Sequence, residues 1–199
     1  VIDRASAARV TAVGAGAALT VALPLSFPAD DGPTTLDTAV AVPITDALSP
    51  GAAHWLVAPS NTPVVLGLWL AACAWFALRR RPREATTMLV VPALAVAVNA
   101  WLLKPLWDRQ LHDYLAYPSG HTVHVVAVAT TFACLVTSAR ARIAVAALTL
   151  LALVSSAAGM LELGYHHLTD VLGGAAAAAA MAIAGCALAA APPRGPGRR

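Results

Sequence analysis

Three short stretches of this sequence hold the residues able to do chemistry. In the first, Ala116-Tyr117-Pro118-Ser119-Gly120-His121-Thr122, a polar segment meets an apolar run. Pro118 keeps Tyr117 out of the helical region, Ser119 is a preferred helix N-cap, and Gly120 lets a ligand approach the backbone. A helix starting here turns its free N–H groups and the positive end of its dipole toward one point, which makes an anion site. His121, on its first turn, can carry a proton near neutral pH. Read alone, the same residues also make a plain helix cap. The second stretch holds Lys104, the chain's sole lysine, and Arg109. An ionisable group at the end of an apolar run is either a functional cation or a side chain snorkelling to the interface. The third is Gly164-Tyr165-His166-His167-Leu168-Thr169-Asp170. If it is helical, His166 and Asp170 share a face. A carboxylate on one imidazole nitrogen fixes the tautomer and leaves the other nitrogen nucleophilic, although a capping Asp beside an interfacial His has the same spacing. His167 points about 100° away. Cations and helix N–H groups to bind an oxyanion, one His to attack and another to donate a proton make a constellation for phosphoryl transfer.

The elements that must position these groups are apolar. Of 199 residues, 59% are hydrophobic and 12% charged, and the mean hydropathy is +0.71. A soluble domain carries about twice that share of charge. The expected fold class is all-α, an integral membrane bundle of six transmembrane helices forming one domain over residues 1–199. Spans are expected at about 10–27, 64–78, 86–103, 121–138, 143–163 and 171–191. The first is read as a span and not a signal peptide, because the run is long for an h-region and no clear A-x-A site follows. Pro92 is tolerated inside a span as a kink. The loop at 28–63 contains two mildly apolar segments, Leu36–Leu48 and Ala52–Ala58, that suit short helices on the membrane surface. The loops at 104–120 and 164–170 are polar, and the tail at 192–199 is basic. Cys73, Cys134 and Cys186 lie inside apolar runs without metal-ligand spacing and read as packing residues.

Six spans place both termini on one side. Eleven of the 13 Lys and Arg residues then fall on that side, with Lys104 and Arg109 opposite. By the positive-inside rule the termini are cytoplasmic, and the loops at 28–63, 104–120 and 164–170 face outward at the plasma membrane. The positions of the charges account for the basic pI and leave no footprint for nucleic acid. All six histidines, including His54, His112 and His124, fall at the outer end.

On these residues the chain resembles the type 2 phosphatidic acid phosphatase (PAP2) superfamily, whose pattern runs K-x6-R-P, then P-S-G-H, then S-R-x5-H-x3-D. Pro118-Ser119-Gly120-His121 matches the second element, and His166-x3-Asp170, continued by Val171-Leu172-Gly173-Gly174, matches the end of the third. The resemblance covers roughly residues 60–190. It implies His166 as the nucleophile of a phosphohistidine intermediate, Asp170 to orient it and His121 as general acid. Lys104, Arg109, Ser119 and the Gly120 N–H would hold the phosphoryl oxygens, with no metal and no cofactor. The implied activity is hydrolysis of a phosphomonoester or diphosphate on a lipid carrier, polyprenyl or glycerophospholipid, at the outer membrane face. The alternatives are a phosphotransferase using the same phosphohistidine and a catalytically weakened lipid-binding homologue. The implied partners are the lipid phosphate and the bilayer; the sequence is silent on oligomeric state. Two departures stand out. Four residues, not six, separate Lys104 from Arg109, and the Ser-Arg of the third element is replaced by Gly159-Met160. Either another outer group substitutes for the missing arginine, with His124, His167 and His54 as the candidates, or the substrate supplies compensating contacts, or activity is low; Glu162 is a further polar group near the same end.

Overall fold

The computed structural model describes residues 4–191; the first three residues and the basic tail at 192–199 lie outside the described residues. Helix α1, Arg4–Ala22, runs into a 3-10 turn, Leu23–Ser26. The loop that follows is largely helical. Helix α2, Thr35–Ala47, starts at a capping box in which Thr34 and Asp37 exchange hydrogen bonds. Helix α3, Pro50–Val57, starts at Ser49, whose hydroxyl accepts the Ala52 N–H, with Pro50 in the first turn. These two helices occupy the segments whose mild apolarity suggests them.

Helix α4 is Thr62–Leu78, and helix α5 is Pro82–Val98 with Pro92 inside it. The third apolar segment does not end before Lys104, as the sequence suggests. It passes through a π turn, Asn99–Leu103, into helix α6, Lys104–Trp107, which stops where Asp108 turns left-handed at φ 47°. The remaining loop folds as a hairpin of β1, Gln110–Leu111, and β2, Tyr114–Leu115, antiparallel with Gln110 opposite Leu115. Helix α7 is Gly120–Leu135, helix α8 is Ala139–Glu162 and helix α9 is Leu168–Ala190.

Among the described residues, five continuous helical stretches are long and apolar enough to cross a bilayer: Ser6–Ser26, Pro50–Leu78, Pro82–Trp107, Ala139–Glu162 and Leu168–Ala190. The sixth, α7, is shorter. Large apolar side chains on the outer surface, among them Leu68, Trp101, Leu150, Leu151 and Val154, are exposed in a way that suits lipid and not water. The described residues form an all-α membrane bundle in which α7 joins the five longer apolar stretches.

Helix α9 lies at its centre, packed against α1, α5 and α7. Its Ala and Gly residues permit this closeness. A Cβ on Gly173 would stand 2.1 Å from the Tyr117 ring, so only glycine lets α9 pass the segment that leads into α7. Buried apolar side chains form one cluster around Val65, Phe76, Met88 and Val128, and another around Ala95, Val123, Ala127 and Ala178. With α7 and α9 locked together, their N-terminal ends meet at one place: the Ser119 N–H donates to the carbonyl of Asp170 at 3.0 Å.

Candidate active site

That meeting point carries the histidines. His121 enters from the first turn of α7. His166 comes from the break between α8 and α9, one residue before the cap of α9. Their rings stand edge to face with centroids 6.1 Å apart, and Tyr114 of the hairpin lies 6.1 Å from His166 on another side. His166 is not itself helical, yet its Nδ1 still comes to 3.6 Å from Asp170 Oδ2. That is an ion-pair distance, longer than a direct hydrogen bond. Nδ1 is buried with no other partner, so Nε2 is the nitrogen left for a ligand.

A cavity of about 530 Å³ opens here, lined by Lys104, Asn99, Gly120, His121, His124, His166, Tyr114, Tyr165 and Thr62 at its polar end, and by Val96, Ala100 and Val123 below. Lys104 Nζ donates to the Leu115 carbonyl, which ties the cation to the hairpin. The Tyr114 hydroxyl donates to the Tyr165 carbonyl and joins the hairpin to the His166 segment. The free N–H groups of the first turn of α7 supply fixed positive dipoles beside Lys104. Four polar atoms near this end are buried without a protein partner: Asn99 Oδ1, Ser119 Oγ, Thr122 Oγ1 and His166 Nδ1. Of these, Asn99 lines the cavity and leaves an acceptor open to a polar ligand, while His166 Nδ1 faces Asp170.

The structure therefore brings Lys104, Gly120, His121, His124 and His166 around one cavity. Asp170 is immediately behind His166. Ser119 is fully buried beside them as the N-cap of α7. Arg109 sits elsewhere. It is fully buried, with its guanidinium 3.9 Å above the Phe27 ring, and does not line the cavity. NH1 donates to Thr169 Oγ1 and to Asp170 Oδ1, both at 2.8 Å. NH2 donates to the Gly32 carbonyl at 2.8 Å and to Asp37 Oδ2 at 3.5 Å, and Nε to the Asp31 carbonyl at 3.4 Å.

His167 caps α9 and faces a second cavity of about 260 Å³ with Asp37 and His166. Burial, seconded by the Arg109 charge, holds its imidazole below the usual range. Glu162 ends α8 half-buried and His54 is exposed on α3; neither lines the main cavity. Met160, at the position of the expected arginine, is fully buried among Val57, Val171, Ala157 and Leu163.

Sequence reasoning missed Asn99, Tyr114, Tyr165, Thr62 and Asp37. A signal existed for Asn99, a polar residue inside an apolar run. Asp37 lies more than 130 residues from its partners in α9 and had none.

Residues 99–191 match the model of the PAP2 superfamily. No curated protein matches the chain. Among solved structures, the fold is similar to a crystal structure described as the first transmembrane PAP2 type phosphatidylglycerolphosphate phosphatase, from Bacillus subtilis. Identity is 19%, the TM-score is 0.69, and the match covers 90% of this chain and 94% of that one.

Proposed function

We propose that this chain, a PAP2 superfamily protein over residues 99–191, is a membrane lipid phosphatase that works through a phosphohistidine. The observation that carries the reading is the pair of histidine rings, 6.1 Å apart, across a cavity that also holds Lys104 and the first turn of α7. His166 Nε2 attacks phosphorus while Asp170, beside Nδ1, stabilises the imidazolium that forms. The bond to the leaving oxygen breaks, and His121 gives that oxygen its proton. Water then attacks the phosphohistidine, His121 takes the water's proton, and phosphate leaves with His166 restored.

Lys104, the Gly120 N–H and the Ser119 hydroxyl hold the phosphoryl oxygens and balance the charge that builds on them. His124 is the candidate substitute for the missing arginine that lines the cavity. The proposed steps use no metal. The cavity's polar end and its apolar floor of Val96, Ala100 and Val123 suit an amphiphile whose phosphate meets the histidines and whose chain runs between helices. A polyprenyl or glycerophospholipid phosphate has that form. By the distribution of Arg and Lys, the site lies on the outer face and the termini are cytoplasmic.

The test is phosphate release by the detergent-purified protein from polyprenyl diphosphate, a polyprenyl-phosphate sugar phosphate, phosphatidic acid and phosphatidylglycerophosphate, beside His166→Ala. The reading expects release from at least one lipid and none from the variant. Equal release from the variant contradicts it. Release that appears only when an acceptor alcohol is added makes the protein a phosphotransferase.

A further inference from the structure

We propose that Asp37 of α2 is a positioning residue for the reaction at His166, acting through Arg109 and Thr169 to hold the Asp170 carboxylate in place. The inference rests on the phosphohistidine reading of the site. Three charged side chains, Asp37, Arg109 and Asp170, are packed together with essentially no exposure. Ions survive such burial only when their partners are complete, and here they are.

Asp37 Oδ1 accepts the Thr169 N–H at 2.8 Å. Its Oδ2 accepts the Thr34 N–H and the Thr34 hydroxyl, both at 2.9 Å, and the Thr169 hydroxyl at 3.0 Å. Burial pushes the Asp37 carboxyl up, but the hydrogen bonds from Thr169 and Thr34 outweigh it and leave the group below the usual carboxylate range. It is a charged acceptor in the folded protein.

The place of these bonds gives them their meaning. Helix α9 begins without a Ser, Thr, Asp or Asn at its cap; His167 stands there. Asp170 closes the His167 N–H from within the helix, and Asp37 adds an acceptor from another element for the N–H of Thr169, the residue next to Asp170. One carboxylate thus closes the N-terminal turns of both α2 and α9. Arg109 completes the frame. A guanidinium has five N–H donors, and all are engaged: on Thr169, Asp170, Gly32, Asp37 and Asp31. None is left for a phosphate. Asp170 is correspondingly fixed, with Oδ1 on Arg109 and Oδ2 on the His167 N–H at 2.8 Å. Rotation of the carboxylate would break one of these bonds. Its Oδ2 is therefore held 3.6 Å from His166 Nδ1, in position for the imidazolium that forms on attack. The cation that the family pattern suggests as a phosphate clamp instead sets the orienting carboxylate, and α2 is its anchor.

The test uses Asp37→Asn in the full-length protein. This variant keeps an acceptor for the Thr169 N–H and removes the charge that faces Arg109. We expect kcat to fall roughly 10- to 100-fold, with KM and the inhibition constant of inorganic phosphate within about twofold of wild type, in protein that remains monodisperse at the assay temperature. Unchanged kcat, or a fall that tracks only the loss of folded protein, overturns the proposal. Weaker inhibition by phosphate also overturns it, because the network would then bind substrate. Amide hydrogen exchange keeps the test separate from the phosphatase reading. If wild type releases no phosphate from any lipid, faster exchange at Thr169–Val171 in the variant still supports the positioning frame, and unchanged exchange there refutes it.

Discussion

Single side chains decide what this site is able to hold. Lys104 reaches the cavity because the helical run continues past it to Trp107, while Arg109, five residues later, turns the other way to answer two buried carboxylates. The spacing of the two cations in the sequence contains no sign of this difference, because it depends on which carboxylates fold around Arg109. Met160 carries a similar lesson. The sequence marks it as the place of an absent arginine; the structure gives it an apolar surrounding of Val57 and Val171. Met160→Arg should therefore not restore a clamp. It should bury a guanidinium without a carboxylate and destabilise the protein by about 3 kcal/mol or more, against less than about 1.5 kcal/mol for Met160→Leu. Thermal unfolding in detergent checks this; an unchanged Tm for the arginine variant would mean that the side chain has found the polar cavity after all.

At the scale of elements, the local signal is strong at caps and prolines and weak where tertiary contacts decide. The Ser119 start of α7, the short helices α2 and α3 and the break that holds His166 are legible from caps, prolines and apolar periodicity. The π turn at Asn99–Leu103 is not, and it displaces the end of the third helical run from Leu103 to Trp107. Nor does local pattern show why Gly159 replaces the serine of the family motif. A Cβ there would lie 2.6 Å from the Ala53 carbonyl oxygen. The glycine lets α3 press onto α8, and α3 brings Val57 against Met160. The Gly159-Met160 pair thus belongs to one packing contact, in which α3 lies against the part of α8 that carries both residues. Helix α2 docks beside it through Asp37. The loop at 28–63 belongs to the support of the site and is more than a connection between spans.

Over the whole molecule, charge and chemistry separate. Arg79, Arg80, Arg81, Arg83, Arg140 and Arg142 cluster where α4 ends and where α5 and α8 begin. The histidines lie elsewhere: His54 on α3, His112 in the hairpin, His121 and His124 on the first turns of α7, and His166 and His167 in the break between α8 and α9. This asymmetry predicts that a cysteine introduced as Asp113→Cys in the β-hairpin, in a background without the three native cysteines, reacts with a membrane-impermeant thiol reagent in intact cells. Reaction only after permeabilisation would reverse the orientation. The fold gathers His166, His121 and Lys104 around one cavity, and the central proposal is that His166 carries the phosphoryl group in transit. The most direct measurement is rapid acid-free quenching of the protein during turnover of a lipid labelled on its terminal phosphate, followed by denaturing separation. The account predicts an acid-labile, base-stable label on the chain that is absent in His166→Ala. Turnover without any protein-bound label, or a label that persists in that variant, would contradict it.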